Sequence, residues 1–350
     1  MLKKIISIGV IACILTGCSG IQGNDSNFVA NEDYVKYDKI FYDVFDTVTT
    51  VVGYTKTEEE FEKCTEEIYS ELKEYHQLYD IYNDYEGINN IKTINDNAGI
   101  EPVKVDKKII DMLLLAKEMY YKTDGYMNVA FGSVLELWHQ YRTSGIENEA
   151  NAQLPPMELL NNANNHTDIE KMIIDQENST VYLEDKDMSI DVGAVGKGYA
   201  TQMVANLESV KELKWIICVG SNVLVLNPKP SDVGWNVGIQ NPDLYSDTPY
   251  VQTVEMLRGS AVTSGSYQRF YTVGGQKYHH IINKDTLMPS EEFAGITVIC
   301  SDSAVGDVLS TALFNVSYEG GVKMLKNFED NIKVVWIYND GTIKTYGEYK

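Results

Sequence analysis

Apolar residues recur with helical spacing in several segments of the chain. Between residues 57 and 75, Phe61, Ile68 and Leu72 fall on one side of a helix whose opposite side is acidic. Thr57 precedes this segment and is a good N-cap residue, since its hydroxyl can accept from the first free N–H groups. The pattern therefore predicts a helix at 57–75 and, on similar grounds, helices at 107–122, 199–207, 303–316 and 319–328.

Segments with alternating apolar and polar residues predict strands between these helices. One long strand is expected at residues 39–54, and the turn Asn339-Asp340-Gly341 predicts a hairpin at 332–346. Because many predicted strands follow one another without an intervening helix, the order favours an α+β fold over a doubly wound parallel sheet. We expect mixed, largely antiparallel sheets with packed helices, and the remaining strands are predicted at 171–192, 215–225, 235–239 and 251–256.

The N-terminus has the pattern of a targeting segment. Lys3 and Lys4 precede an apolar run at residues 5–15 that is shorter than a membrane-spanning helix. The run ends in Leu-Thr-Gly-Cys18, which resembles a bacterial lipobox, in which the cysteine is lipidated and becomes the new N-terminus. A simple signal peptide with an incidental cysteine is the alternative. We expect a lipoprotein signal peptide at 1–17, a flexible tether at 18–37 and one folded domain at 38–350.

These features predict an exported protein, lipid-anchored through Cys18 on the extracytoplasmic face of the cell membrane. The formal net charge of −22 argues against nucleic acid as a partner and against direct electrostatic attachment to anionic lipid. Cys64, Cys218 and Cys300 form no Cys-x-x-Cys pair and no Cys/His metal pattern. Cys218 and Cys300 lie in apolar strand-like runs, where core thiols are expected.

A glycine-rich turn at residues 193–198 follows a short predicted strand at 188–192. Such a turn before a helix exposes backbone N–H groups and a positive helix end, which suit an anion, and Lys197 adds a cation. The turn lacks the Ser or Thr of a P-loop and the glycine spacing of a dinucleotide fold. A phosphate-bearing ligand is one interpretation, and a tight strand-to-helix turn is the other.

Two later segments carry residues suited to catalysis. Asp307 and Thr311 are four apart on a predicted helix, so they share a face and offer hard oxygen ligands suited to Mg²⁺ and not to zinc. His279 and His280 lie at a strand end, after the hydroxyl-rich turn at 263–267, where a histidine could act as a general base. Nucleophilic catalysis by Ser264 is a weaker hypothesis, because no Gly-x-Ser-x-Gly elbow surrounds it.

Together these stretches resemble the FAD:protein FMN transferases, the ApbE-like family. Residues 190–200 are similar to the family signature D-x-G-[AG]-x-x-K-G-[YF]-A, and residues 307–313 to its D-[AV]-x-[SA]-T-A-L helix. Thr263-Ser264-Gly265-x-Tyr267 and His280-Ile281-Ile282 match two further motifs. The resemblance runs in the family's order from about Phe45 to the C-terminus.

The resemblance implies an ApbE-like, T-fold-related catalytic domain with two intimately joined lobes. It also implies Mg²⁺-dependent transfer of the FMN moiety of FAD to a Thr or Ser hydroxyl of an exported electron-transfer protein or lipoprotein, with release of AMP. By the same resemblance, Mg²⁺ is held by the Ala194 carbonyl, Asp307 and Thr311, and His280 is the general base, with His279 as the alternative. FAD is contacted by Phe45, Tyr82, Tyr126, Met127, Asn128, Asp191, Lys197, Ser264 and Ile281.

The sequence departs from the family pattern at two places. Many members have Asp-Pro after His-Ile-Ile, whereas this chain has Asn283 and Lys284, and many have Gly-Gly where it has Gly220 and Ser221. Both changes alter loops and leave the proposed metal ligands in place. An FAD pyrophosphatase that releases FMN and AMP to water stays an alternative, as does a non-catalytic flavin-binding lipoprotein. A purely structural surface protein would not explain the glycine-rich turn beside a metal pair.

Overall fold

The computed structural model of the protein describes residues 34–328 and 331–349. The predicted signal segment and Cys18 lie outside these residues, as does most of the predicted tether. Among the helices in the described ranges, none has both the length and the apolar character needed to cross a bilayer.

The described chain contains fifteen strands and eight α-helices in a mixed order. The strands are β1 Val35–Val44, β2 Thr47–Thr55, β3 Val103–Lys104, β4 Met172–Asp175, β5 Thr180–Leu183, β6 Lys214–Val219, β7 Asn222–Val225, β8 Trp235–Gln240, β9 Tyr250–Met256, β10 Gly259–Gly265, β11 Phe270–Val273, β12 Gln276–His279, β13 Phe293–Cys300, β14 Lys333–Tyr338 and β15 Ile343–Tyr346. The helices are α1 Glu58–Tyr79, α2 Ile91–Asp96, α3 Lys107–Lys122, α4 Gly132–Glu147, α5 Met157–Asn164, α6 Gly196–Ala205, α7 Ser303–Phe314 and α8 Tyr318–Met324. Short 3₁₀ helices lie at Val129–Phe131, Glu149–Asn151, Ile169–Lys171, Pro230–Asp232 and Leu325–Asn327.

An eight-stranded antiparallel sheet forms the centre of the fold, in the order β1-β2-β6-β7-β10-β13-β14-β15. Successive residues of a strand face opposite sides, so Val51 joins one hydrophobic cluster and Val52 another. The first cluster lies under α1, α6 and α7, and the second lies under the β8–β9 hairpin with Trp235 and Met256. Because both faces of the sheet are covered, the central strands carry apolar side chains on both sides.

A smaller unit packs beside this sheet and contains the β11–β12 hairpin. Helix α4 lies against that hairpin and against α5, around the buried indole of Trp138. The indole Nε1 donates a hydrogen bond to the carbonyl of Leu287 at 2.9 Å. This bond ties α4 to the loop that follows β12.

The expected α+β fold with largely antiparallel sheets is confirmed. Helix α3 has the predicted bounds and the predicted cap, because the Asp106 side chain accepts from the N–H of Lys108 at 2.8 Å. Thr57 caps α1 as predicted, although the helix continues four residues beyond the expected end, to Tyr79. Cys218 and Cys300 are buried and form no disulfide bond in the described residues, and their burial in the core is as predicted.

The single strand predicted at 39–54 is wrong, because the chain turns back within it. β1 and β2 form a hairpin in which Val44 pairs with Thr47, and the two residues between them have positive φ angles. These are Phe45 at 54° and Asp46 at 50°. Tight hairpin turns of this kind usually contain Asn or Gly. The alternation of apolar residues continues through the turn, so the pattern conceals it.

The segment at 188–192 is extended but pairs with no strand in the described part of the chain. The N–H of Asp191 donates to the carbonyl of Val129 at 2.8 Å, and the N–H of Ile190 donates to the Asn95 side chain at 2.7 Å. Met188, Ile190 and Val192 are buried as the alternation predicts. The prediction of a strand is therefore wrong, because the segment pairs with no strand in the described residues. The predicted alternation of buried side chains is confirmed.

Candidate functional site

Two buried helices meet at the glycine-rich turn. Helix α6 begins at Gly196, three residues before the predicted start, and its first turn contains Gly198. A Cβ atom at Gly198 would lie 2.3 Å from the carbonyl oxygen of Ser303 and 2.5 Å from Cβ of Asp307. Glycine is required here because α6 and α7 touch, and this packing outweighs the low helix propensity that shortened the prediction.

The N–H of Gly198 donates to Oδ2 of Asp307 at 2.8 Å. The positive end of α6 therefore faces a carboxylate that belongs to the protein itself. The phosphate predicted at this helix end would have to share it with Asp307. This changes the role of the turn from a direct phosphate cradle to the support of a buried carboxylate.

Asp307 could bind a cation through Oδ1, the carboxylate oxygen that Gly198 does not contact. Its side chain is 5% exposed, and no Lys, Arg or His lies within ion-pair distance of it in the described residues. Burying a charge without a partner is costly, so a bound cation would offset that cost. Thr311 lies one helical turn further on the same face, and Ala194 lies at the start of the glycine-rich turn; both are half-buried. An all-oxygen donor set of this kind suits Mg²⁺.

A chain of hydroxyl groups connects β10 to α7. The hydroxyls of Ser264 and Ser310 lie 2.8 Å apart, and the Ser310 hydroxyl donates to the backbone carbonyl of Asp307 at 3.0 Å. Ser264 is therefore paired within the fold, which makes it a poor free nucleophile. The helix motif at 307–313 includes Ser310 but does not predict its role, because its hydrogen bonds depend on the neighbouring strand.

The turn before α6 is held by its own polar groups. Asp191 Oδ1 accepts from the N–H of Gly193 at 2.7 Å, and Lys197 Nζ lies 3.4 Å from the carbonyl of Gly193. Asp191 and Lys197 are both half-buried. Both bond to Gly193, the residue before Ala194, so the structure brings them close to that candidate ligand of Mg²⁺.

His279 is fully used by the fold. Its Nε2 donates to the carbonyl of Ser290 at 2.6 Å, and its Nδ1 accepts from the N–H of Ile281 at 3.2 Å. Its ring packs edge-on against Phe314 of α7 at 5.5 Å. Burial lowers the pKa of His279, which keeps this bonding pattern neutral. A ring with both nitrogens occupied is poorly placed to accept a proton from a substrate.

His280 has one ring nitrogen available. Its Nδ1 lies 3.2 Å from the carbonyl of Arg269, so Nδ1 carries the proton and donates. Nε2 then has a free lone pair and, within the described residues, no partner. Burial, and then the cations Arg269 and Arg142, lower the pKa of His280 well below its usual value. Of the two histidines, His280 has the geometry of a general base.

The loop after His280 is hydrogen-bonded to the end of α7. The side-chain amide of Asn283 donates to the carbonyl of Asn315 at 2.7 Å, and its oxygen accepts from the N–H of Asp285 at 2.8 Å. The Ser290 hydroxyl donates to the Asn315 side chain at 2.5 Å. An aspartate at position 283 could not donate the first of these bonds. The departure from the family pattern therefore has a structural use, since it ties the histidine loop to the helix of Asp307.

Phe45 and Tyr82 are aromatic candidates for a flavin contact. Phe45 has a left-handed backbone, which is uncommon for a bulky residue, and its N–H donates to Nδ1 of His76 at 3.2 Å. Tyr82 is about half exposed, and its ring lies 5.0 Å from that of His139. Burial of the phenol and the charge of Asp191 raise the pKa of Tyr82 to about 12. Tyr82 therefore stays neutral and lies near the glycine-rich turn.

The side chains of the other residues predicted to contact the flavin are buried or already hydrogen-bonded within the fold. The side chain of Met127 is buried in the core, as is that of Ile281. Asn128 is used by the fold, because its oxygen accepts from the N–H of Ala130 and its amide donates to the carbonyl of Thr167. The Tyr126 hydroxyl donates to Asp285 at 2.7 Å, and this bond raises its pKa to about 12. Tyr126 thus joins the histidine loop.

Three basic residues at this site are not predicted by the sequence motifs. Arg142 and His139 lie on α4, where Nη2 of Arg142 donates to Nδ1 of His139 at 2.8 Å. Arg269 precedes β11, and its carbonyl accepts from His280. The chain has only three arginines. This scarcity is the one sequence signal that could have drawn attention to Arg142 and Arg269.

A second cluster of possible metal ligands shares no residue with the Asp307 site. His166, Asp185 and Asp187 have ligand atoms close enough for one ion. However, Lys171 Nζ lies 2.9 Å from the Asp185 carboxylate, and the bonds from Lys171 and His166 hold the pKa of Asp185 well below its usual range. The carboxylate already has a cation, so this cluster does not need a metal.

Comparison with known proteins identifies relatives over most of the chain. The model of the ApbE family matches residues 45–336. A protein of Treponema pallidum named FAD:protein FMN transferase is 27% identical over 96% of this chain and 92% of its own length. A protein of Klebsiella pneumoniae with the same name is 29% identical over 73% of this chain and 78% of its own length.

Solved structures share the fold. The ApbE protein of Thermotoga maritima superposes with a TM-score of 0.76 at 24% identity, covering 89% of this chain and 96% of that one. The flavin transferase ApbE of Vibrio cholerae gives a TM-score of 0.70 at 18% identity, covering 90% of this chain and 97% of that one.

We predict that Gly198→Ala disrupts the contact between α6 and α7. The added methyl group has no space beside Ser303 and Asp307, and overpacking of this kind costs about 1–3 kcal/mol. Urea denaturation of the purified protein measures the change. Gly320→Ala is the matched control, because a Cβ atom there meets only ordinary contacts at 3.4 Å, and we expect it to be neutral or slightly stabilising. A Gly198→Ala protein as stable as the wild type would contradict the packing argument.

Proposed function

The chain belongs to the ApbE family, and from this premise we propose that it transfers the FMN moiety of FAD to a hydroxyl group of an acceptor protein. The coarse activity, transfer of a flavin nucleotide to protein, is that named for its relatives. We propose further that the acceptor residue is Thr or Ser, that the reaction needs Mg²⁺ and that AMP is released. The acceptor is expected to be an exported electron-transfer protein or lipoprotein.

One observation carries the proposal: a buried carboxylate and a histidine are attached to the same helix. Among the described residues, the carboxylate has no cationic side chain as a partner and Nε2 of the histidine has no hydrogen-bond partner. Asp307 is part of α7, and the His280 loop is bonded to the end of α7 through Asn283 and Ser290. A pure binding protein has no need for a free base beside a metal-type ligand set. Phosphoryl transfer needs both, because it must neutralise phosphate charge and activate a nucleophile.

The proposed reaction forms one bond and breaks one. The acceptor hydroxyl oxygen attacks the flavin-side phosphorus of FAD, the bond from that phosphorus to the bridging oxygen breaks, and AMP leaves with the bridging oxygen. His280 Nε2 accepts the hydroxyl proton. The carbonyl of Arg269 holds the ring by its Nδ1 proton, so Nε2 points one way only. When bound, Mg²⁺ would neutralise charge on the phosphate oxygens.

The other candidate residues would hold FAD. Asp307, Thr311 and the carbonyl of Ala194 are the candidates for the metal beside the diphosphate. The aromatic rings of Phe45 and Tyr82 offer flat surfaces for the flavin, and stacking of this kind is favourable for planar rings. Asp191 and Lys197 would face the nucleotide from the glycine-rich turn.

We also propose that the enzyme is exported and anchored to the membrane through a lipid on Cys18. The support is the charged start, the short apolar run and the lipobox-like tetrad in the sequence. An extracytoplasmic location would bring the site to exported acceptors.

The test of the function is an incubation of the protein with FAD, Mg²⁺ and a candidate exported acceptor. We expect the intact mass of the acceptor to increase by one FMN phosphoester and AMP to appear in equal amount. Release of AMP without a mass gain in any acceptor would favour the pyrophosphatase. Bound FAD with neither product would favour the binding lipoprotein.

Asp307→Asn serves as the metal-site variant in the same assay. It keeps the shape of the side chain and loses its charge, so we expect turnover to fall by at least about a hundredfold. Mg²⁺ should raise the melting temperature of the wild type but not of this variant. Asp243→Asn, at an exposed loop position, is the control and should behave as the wild type. An unchanged Mg²⁺ response in Asp307→Asn would remove Asp307 from the ligand set.

His280→Gln is predicted to slow transfer by about 10²–10⁴-fold while FAD affinity changes little, since the residue acts on the acceptor proton. The base works only when neutral, and its pKa lies well below the usual 6.5. The wild-type rate should therefore stay constant as the pH falls through 6.5 and decline only in more acidic solution. A decline centred at or above pH 6.5 would argue against His280, as would equal losses of rate and FAD affinity in the variant.

Cys18→Ser tests the anchor. We expect the wild-type protein in membrane fractions to incorporate a radiolabelled fatty acid and the variant to lose both the label and the membrane association. A variant that still sediments with membranes would contradict anchoring through Cys18.

A further inference from the structure

Helix α4 turns one face toward the histidine loop and the β11–β12 hairpin. Trp138, Arg142 and Gly145 have the spacing i, i+4 and i+7, so they share this face. Trp138 donates to the carbonyl of Leu287 in the loop, and a Cβ atom at Gly145 would lie 2.5 Å from the ring of Tyr271 in the hairpin. The packing at both ends of the stripe places Arg142 between the loop and the hairpin.

Arg269 reaches the same place from the hairpin. It precedes β11, whose first residue Phe270 pairs with His279, the last residue of β12. Arg269 and His280 are thus neighbours across the open end of the hairpin, and the carbonyl of one accepts from the ring of the other. The two arginines come from distant parts of the chain and meet beside the candidate base.

Within residues 34–328 and 331–349, no carboxylate lies within ion-pair distance of Arg142 or Arg269, although the chain has 51 acidic residues against 29 basic ones. The charge of Asp191 acts on Arg142, but from beyond ion-pair distance. Arg142 is half-buried, and one of its N–H groups donates to Nδ1 of the neutral His139. This bond orients the guanidinium and leaves its charge in place. Arg258 differs, since its guanidinium is used on Leu226 and Asn227.

The position of His280 indicates which anion these cations face. A general base lies about 2.6–3.2 Å from the hydroxyl that it deprotonates, and that oxygen lies about 3–3.5 Å from the atom that it attacks. In the proposed reaction the attacked atom is the flavin-side phosphorus of FAD. Cations that flank His280 therefore flank this phosphate and not the adenosine-side phosphate.

We propose that Arg142 and Arg269 form an anion-binding subsite for the flavin-side phosphate of FAD, with His139 as the positioning residue that orients Arg142. The inference rests on the proposed function. The forked donors of arginine match the oxygens of a phosphate group. The subsite approaches the phosphate from α4 and the hairpin, whereas the candidate ligands of Mg²⁺ approach it from α6 and α7.

The test compares three ligands in the absence of metal. FMN carries the flavin-side phosphate, riboflavin lacks it, and AMP carries only the other phosphate. Affinities for the full chain are measured by fluorescence or calorimetric titration in EDTA. The variants are Arg142→Gln, Arg269→Gln and Arg142→Lys, with thermal melting as the check on folding. Arg258→Gln is the control, because Arg258 lies at the opposite end of the seven-residue β10 from Ser264, roughly 20 Å away.

We expect the wild type to bind FMN more tightly than riboflavin. Each Gln variant should lose roughly tenfold or more in FMN affinity, as for the loss of a hydrogen bond to a charged group, while riboflavin and AMP affinities change less than about twofold. Arg142→Lys should fall between, since it keeps the charge and loses the fork. Arg258→Gln should change nothing.

Three outcomes would overturn the inference. Equal losses for FMN and riboflavin would place the arginines against the ring. Unchanged affinities for both FMN and riboflavin in the variants would leave a carboxylate of the acceptor as the occupant. A selective loss of AMP affinity would assign them to the other phosphate. In all three the proposed function survives, whereas a wild type that binds no FAD in a parallel titration with Mg²⁺ would remove the function as well.

Discussion

The hydrogen bond from the N–H of Gly198 to the carboxylate of Asp307 is the contact on which the site depends. It holds a negative charge at the positive end of α6 and inside the protein, where that charge is costly unless a cation accompanies it. The bond forms only because position 198 has no side chain, so α6 and α7 can touch. This one hydrogen bond therefore depends on the glycine in the sequence, on the close packing of α6 and α7, and on the electrostatics of the helix end.

The rest of the site is attached to α7 by short polar bridges. Ser310 and Ser264 connect the helix to β10, and Asn283 and Ser290 connect it to the histidine loop. The two neighbouring histidines have different roles in this arrangement. His279 is hydrogen-bonded on both ring nitrogens and holds the loop, whereas His280 has no partner on Nε2 among the described residues. The metal-type ligands and the candidate base are therefore parts of one rigid arrangement.

The sequence was most informative where local chemistry decides the structure. Asp106 and Thr57 cap their helices as predicted, because a cap depends only on the next few residues. It failed at Phe45, where a turn interrupts an unbroken alternation of apolar residues, and at 188–192, where side chains replace a partner strand. Motifs singled out Asp307, Thr311 and His280 as candidates, but they could not reveal that the side chains of Asn128 and Met127 are used by the fold.

Arg142 shows why part of the site is invisible in a sequence. Its neighbours in space are Arg269 and His280, which lie more than 120 residues away along the chain. Only the packing of α4 through Trp138 and Gly145 brings them together. No local sequence pattern predicts that these residues lie together, and only the tertiary structure shows that neither cation forms an ion pair with a carboxylate in the described chain.

The most direct test of this account is anomalous scattering from crystals of the protein soaked with Mn²⁺ and FAD, since Mn²⁺ takes the same oxygen ligands as Mg²⁺. We expect one strong peak bonded to the carboxylate of Asp307, the hydroxyl of Thr311 and the carbonyl of Ala194, with the diphosphate of FAD between that peak and His280. A peak at His166 and Asp185 with none at Asp307 would contradict the account, as would FAD bound with its phosphates away from α7.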